Sequence, residues 1–191
     1  MANIQELGYP SIPTYLSDVL TNITPPKPVT PQYLAQLGVE LLESKQESVE
    51  LENSNVQSRL RRRIPTKIDF DEAAITLMTL FTFKNIRVSE RSTDYLLGVY
   101  VDHGPKEGIY ITSRKELYRL IDPLVPYYRN KDIDDVLDKI ERMVPTVVQT
   151  SEPSLFIVNN GIYNQDSDVL MPFSPEYTYL VKIPINYKDS P

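Results

Sequence analysis

The sequence predicts an α+β protein: a small mixed domain of short strands and amphipathic helices, preceded by a proline-rich arm and a helix. Three observations carry this. Apolar residues recur at helical spacing in Leu117, Leu120, Ile121 and Leu124, and again in Ile133, Val136, Leu137 and Ile140. Short runs rich in Val, Ile, Tyr and Phe lie before and after these windows. Residues 1–30 are rich in proline and polar groups and end in Pro25-Pro26-Lys27-Pro28. Proline removes backbone donors and fixes φ, so this stretch reads as an extended arm. The chain divides accordingly into an arm over 1–30, a helix with a charged connector over 31–67, and a compact α+β domain over 68–191.

The elements follow in order. Thr30-Pro31 reads as an N-cap with proline at the first helical position, and Leu34, Leu37 and Leu41 extend a helix over 31–46. From Ser44 to Arg63 the chain is almost wholly polar and is expected to be a linker or an exposed helix extension. Asp69 with Glu72 resembles a capping box. The helix it opens runs through Ala73, Ile75, Leu77, Met78 and Phe81, apolar on most sides and therefore buried. Strands are expected at 83–88, 95–101 and 108–112, with His103 to Gly108 turning between the last two. Ser113 and Glu116 form a second capping box, and Asn130 or Asp132 caps the next helix, which Pro145 ends. Further strands are expected at 146–149, 155–158 and 179–185, with Asn160-Gly161 as a turn.

Composition narrows the function. At 191 residues the chain fits one domain with room for a satellite. No apolar run approaches the about 20 residues that span a bilayer, and the N-terminus lacks a signal peptide's basic start and apolar stretch. No membrane partner is expected. The absence of cysteine excludes disulfides and thiolate zinc sites and fits a cytoplasmic protein. The net charge of −6 gives nucleic-acid binding no overall support. Charge is uneven, however. Glu40, Glu43, Glu47, Glu50 and Glu52 precede Arg59, Arg61, Arg62, Arg63 and Lys67.

Catalytic constellations are sparse. None of the 6 glycines fits a phosphate loop, and the nearest look-alike, Gly104-Pro-Lys-Glu-Gly108, is a better hairpin turn. His103 is the only histidine, too few for a histidine zinc site, and it sits in that turn. Asp132, Asp134, Asp135 and Asp138 are the densest acidic cluster. Two carboxylates can hold magnesium for phosphoryl transfer, but the first turn of a helix also favours negative charge. The helix-dipole reading is preferred. No catalytic residue, metal site or cofactor is therefore expected in this chain, which is read as not an enzyme by itself. The basic run at 59–67 is the best candidate for phosphate backbones. Lys84, Arg87, Arg91, Arg114 and Lys115 are weaker candidates. Interleaved tyrosines (Tyr95, Tyr100, Tyr110, Tyr118, Tyr127 and Tyr128) would suit single-stranded DNA.

The last forty residues carry a family resemblance. Phe156-Ile-Val-Asn-Asn-Gly-Ile-Tyr-Asn164, then Leu170-Met-Pro-Phe-Ser-Pro-Glu-Tyr177, then Lys182-Ile-Pro-Ile-Asn-Tyr187 resemble a signature of phage- and plasmid-encoded primase-helicases of the satellite-phage and poxvirus type. In that family the signature closes the domain just upstream of a superfamily 3 helicase ATPase. The resemblance covers about residues 80–190, whereas residues 1–75 match nothing. Asn160, Gly161, Pro172, Ser174, Pro175 and Glu176 carry it, in roles that read as structural.

The resemblance implies a non-catalytic N-terminal domain of a replicative DNA helicase-primase from a phage, plasmid or other mobile element in a bacterial cytoplasm. It would assist DNA binding or subunit assembly. ATP and magnesium are expected only for the ATPase domain, which would follow beyond Pro191. The partners implied are DNA, further copies of the chain in a homo-oligomer, and replication proteins. The alternative is a stand-alone protein-interaction module of a replication complex. A third reading, a divergent nucleotidyltransferase using Asp132 and Asp134, has the least support.

Overall fold

The computed structural model describes residues 12–187. It is mixed α+β, with five α-helices and seven strands among these residues. The chain forms two compact units, each built from two stretches. One takes the chain up to Leu80 together with Tyr118–Met143, and the other takes Phe81–Leu117 together with the chain from Val144 onward. The stretch 68–191 therefore contributes to both.

The first unit is helical. The extended-arm expectation fails over residues 14–22, which are helical, while 23–30 are not in a helix or strand and residues 1–11 lie outside the described residues. Helix α1 (Thr14–Asn22) buries Leu16, Val19 and Leu20 at i, i+3 and i+4. Pro13 sits just ahead of its first turn, where a missing N–H costs nothing, and its carbonyl accepts from Ser17 N at 3.1 Å. Helix α2 (Pro31–Ser54) starts as expected, with the Thr30 hydroxyl accepting from Tyr33 N at 3.2 Å. It then continues through Ser54, eleven residues into the polar stretch from Ser44, so over these residues the helix-extension alternative holds rather than the linker. Its buried stripe is Leu34, Leu37, Gly38, Leu41, Lys45 and Val49. At Gly38 a Cβ would stand 2.1 Å from the Leu124 carbonyl oxygen, so only glycine admits that backbone.

Helix α3 (Phe70–Leu80) is opened by the Glu72 half of the expected box. The Glu72 carboxylate accepts from Asp69 N at 2.7 Å, and the Asp69 carbonyl accepts from Ala73 N at 3.0 Å. Every residue from Glu72 to Thr79 is buried. Helix α3 packs against the later helix Asn130–Met143, and α1 packs against α2. The start of the later helix corrects the expectation. Arg129 is the flanking residue and accepts from Ile133 N at 3.1 Å. Asp132 is inside the helix and reaches back to Arg129 N at 3.0 Å, so neither Asn130 nor Asp132 is the cap itself. Ile133, Val136, Leu137 and Ile140 form its buried face.

The second unit holds two sheets. In the first, β1 (Phe83–Arg87) pairs antiparallel with β2 (Leu96–Tyr100) and parallel with β4 (Thr146–Val148). Strand β3 (Tyr110–Ile111) lies beyond β2, giving the order β3-β2-β1-β4. Helix α4 (Arg114–Ile121) follows β3, and the helix Asn130–Met143 is α5. The second sheet is a meander of β5 (Leu155–Val158), β6 (Gly161–Asn164) and β7 (Val169–Met171). Its core groups Ile109, Leu155, Ile157, Ile162 and Tyr179, with Met171, Phe173 and Tyr177 packed against them.

Two expectations shift here. Val158 pairs with Gly161, so the β5–β6 connection is Asn159-Asn160, one residue earlier than the Asn-Gly dipeptide implied. Gly161 instead begins β6, where a Cβ would lie 2.5 Å from the Met171 carbonyl oxygen. Residues 179–185 form no strand. Pro184 lacks the donor a ladder needs, and two backbone bonds alone tie the segment to the β5 edge and its turn: Ile183 N to Ile157 O at 2.9 Å and Asn159 N to Ile185 O at 2.8 Å.

Candidate nucleic-acid interface

The basic run sits where α2 ends and the chain turns back. A single 3-10 turn, Ser58–Leu60, leads to Arg61 in extended conformation. Asn53, in the last turn of α2, holds the return. Its amide nitrogen donates to Arg62 O at 2.8 Å and its amide oxygen accepts from Arg62 N at 2.7 Å. Gln46 adds a bond to Pro65 O at 2.8 Å. Extended backbone alternates its side chains, so Arg61 and Arg63 emerge opposite Arg62. The Arg62 guanidinium pairs with Glu52 at 2.9 Å. Among the described residues Arg59, Arg61 and Arg63 make no ion pair, and all three are exposed. Lys67 is exposed too, its ammonium 5.8 Å and 5.7 Å from the ring centres of Phe70 and Tyr128.

The remaining candidates, Lys84, Arg87, Arg91, Arg114 and Lys115, lie in the second unit. Strand alternation puts Lys84 and Arg87 on opposite faces of β1. Lys84 is committed internally. Its ammonium donates to Pro175 O at 2.6 Å, Glu176 O at 3.3 Å and Thr178 Oγ1 at 3.4 Å, and lies 5.1 Å from the Tyr110 ring centre. Burial lowers its pKa, against the opposing pull of Glu176. Arg87 is half-buried, and its Nε has no hydrogen-bond partner among the described residues. Arg91 is exposed on the β1–β2 connection, and Arg114 and Lys115 are exposed at the start of α4. The tyrosines are mostly absorbed by the fold. Tyr110 and Tyr128 are buried, and their hydroxyls donate to Pro175 O at 2.6 Å and Ile68 O at 2.8 Å. Tyr95 and Tyr127 are the exposed members of that set.

The acidic cluster has local work. Asp132 accepts from Arg129 N, and Asp134 accepts from the Tyr118 hydroxyl at 2.5 Å. Among the described residues no three His, Asp or Glu side chains are placed to hold a metal ion. His103 is exposed, with Nδ1 2.7 Å from Asp102. A cleft of about 470 Å³ runs between β3 and residues 180–184. Lys106 and Glu116 at its rim neutralise each other at 2.5 Å.

The signature residues hold backbone. Asn160 donates from its amide nitrogen to Tyr187 O and accepts at its amide oxygen from Tyr187 N, both at 2.9 Å. Ser174 Oγ accepts from Glu176 N at 3.2 Å, which turns the chain so that the Pro175 carbonyl meets Lys84 and Tyr110 together. Pro172 and Pro175 are exposed at this turn.

The family model described as D5 N terminal like matches residues 60–191, the greater part of the chain. The chain belongs to the D5 N-terminal-like family. This is the N-terminal domain of D5-like phage and viral primase-helicases. No curated protein matches the chain. The D5 N-terminal-like match starts at residue 60, so it takes in Arg61, Arg62 and Arg63 and leaves out α1 and α2. No helix among the described residues is long and apolar enough to cross a membrane.

Sequence reasoning missed the polar center that anchors the helices ahead of this domain. The Lys45 ammonium lies 2.8 Å from both Asp69 Oδ2 and Glu72 Oε2, and the Tyr15 hydroxyl donates to Glu72 Oε1. Burial, then the Glu72 carboxylate, raises the Tyr15 pKa. The available signal was Lys45 falling four residues after Leu41 and four before Val49, on the apolar stripe.

Proposed function

We propose that this chain is the non-catalytic front end of a D5-like replicative primase-helicase and that residues 59–67 contact nucleic-acid backbones beside the motor. The observation that supports this most is the conformation of the Arg segment. Asn53 fixes Arg62 from both sides, and Arg59, Arg61 and Arg63 are left exposed and without ion pairs. A preordered row of guanidiniums loses little freedom on meeting a row of phosphates. Nothing in such a row reads bases, so the contact is sequence-independent. Single strands, replication proteins and further subunits are the partners this reading expects, in a bacterial cytoplasm. ATP and magnesium belong to the motor.

A salt titration tests it. Affinity of the full chain for single- and double-stranded DNA should fall steeply as salt rises. Replacing Arg61 and Arg63 with alanine should reduce the slope of log affinity against log salt by about 1.4 on single strands and about 1.8 on duplex, at 0.7 to 0.9 per lost phosphate contact. An unchanged slope removes this segment from the interface. A second reading, subunit assembly, is favoured by one feature. Glu40, Glu43, Glu47 and Glu50 are all exposed at helical spacing along α2, a surface that repels DNA. Charge reversal at Glu43 and Glu47 that lowers the mass of a self-associated species, with DNA affinity unaltered, would place assembly there.

A further inference from the structure

The segment that leaves the second sheet passes the free edge of β5 and ends its described course at Tyr187. Apolar burial does not hold it there. Val181, Ile183 and Ile185 alternate along it and are 73%, 43% and 58% exposed. Pro184 denies it a ladder, leaving two backbone bonds from Ile183 N and to Ile185 O. A strap held so weakly along its length needs a fastening at its end.

That fastening is present. The Asn160 side chain pairs with both backbone groups of Tyr187, in the manner of a neighbouring strand. The Tyr187 ring stacks on Tyr163 of β6 with centroids 4.2 Å apart and planes 21° from parallel. Both hydroxyls donate to one oxygen of Asp168, at 2.7 Å from Tyr187 and 2.8 Å from Tyr163. Asp168 is itself held in the left-handed region, φ 54°, in the turn between β6 and β7. These contacts come from three places in the meander: the β5–β6 connection, strand β6 and the β6–β7 turn. All three converge on one residue.

We infer that Asn160, Tyr163 and Asp168 form a clasp that captures Tyr187, closing residues 183–187 as a strap over the β5 edge. Because the strap is fastened by polar contacts at one end, it opens as a whole when the clasp is lost. Opening uncovers the Ile157 carbonyl and the Asn159 N–H at the sheet edge. The inference stands on the second unit alone and does not depend on DNA binding.

Amide hydrogen exchange of the full chain reads this directly. In the unaltered protein the amides of Ile183, Tyr187 and Asn159 should exchange at least about tenfold more slowly than unstructured chain. Tyr187→Ala should abolish protection at Ile183 and Asn159 together, while the β5–β6 ladder amides keep theirs. Tyr187→Phe keeps the stack and loses only the bond to Asp168, so it should cost less protection than alanine. Asn160→Ala should behave like Tyr187→Ala. Should that variant disturb the hairpin, Tyr187→Ala, which alters the strap alone, still decides. Rapid exchange at Ile183 in the unaltered protein would overturn the clasp, as would undiminished protection of Ile183 and Asn159 in Tyr187→Ala.

Discussion

Lys45 carries a full charge into the helical unit, where its side chain is 11% exposed and Glu72's is 8%. An ion there is tolerated only if every lone pair and proton is met. Glu72 meets this standard, accepting from Lys45, Asp69 N and Tyr15. Asp69 is the lesser partner, because its side chain is 70% exposed and water screens the pair. Removing one member strands the other. Lys45→Met should therefore lower stability by about 3–5 kcal/mol, and a double-mutant cycle with Glu72→Gln in urea denaturation should show strong coupling between the two. Additive losses would mean that the pair is not a unit. Gly38 makes a second residue-scale case. Alanine there would gain about 1 kcal/mol of helix propensity, but its Cβ would meet a backbone oxygen at 2.1 Å that cannot swing aside. Overpacking costs about 1–3 kcal/mol, so Gly38→Ala should be net destabilising. An increase in urea midpoint would contradict the close approach.

At the scale of elements, what was legible followed long periodicity, and what was not was either short or held a polar residue in an apolar role. Helices α3, α4 and α5 announce themselves through unbroken stripes and box residues. Helix α2 looks finished at 46 because the next stripe position is Lys45, whose burial depends on carboxylates 24 and 27 residues away. Helix α1 has the right spacing in Leu16, Val19 and Leu20, but it is only 9 residues long and lies among prolines that argue for an arm. Strand β7 has three residues and no pattern to read. For the candidate site, the sequence supplied the arginines. It could not supply Asn53, because an asparagine clamp on a residue nine positions away has no local signature. That clamp makes a prediction. Asn53→Ala removes two hydrogen bonds, each worth about 1 kcal/mol, from a segment with no buried apolar anchor at residues 57–63. Tryptic cleavage at Arg61, Arg62 and Arg63 should accelerate by about 5- to 30-fold, with the global unfolding midpoint little changed. Equal cleavage rates would show that Asn53 does not hold the return.

At the scale of the whole molecule, each unit is assembled from two separated stretches, so a division drawn along the chain at 30 and 67 cannot coincide with the units. The charge that matters to both is phenolic. Burial, as the leading cause, raises the pKa of Tyr15, Tyr33, Tyr127 and Tyr128 in the first unit and of Tyr100, Tyr110 and Tyr179 in the second, with Tyr179 pushed up to about 12. A tyrosine whose folded pKa is raised keeps its proton in the native state after the unfolded chain has released it near pH 10. The native state then binds more protons, so the slope of stability with pH is negative. This contribution is complete below pH ~10 and is lost as pH rises through the folded values. Lys84 has the opposite sign, since burial favours its neutral form, but it is one group against seven. Urea denaturation should accordingly show a steady loss of stability from pH ~10 upward. Absorbance of the phenolate should show these tyrosines ionising together with unfolding. Stability that stays level between pH ~10 and ~12 would mean that the phenols are reached by water in the native state and are not part of its interior.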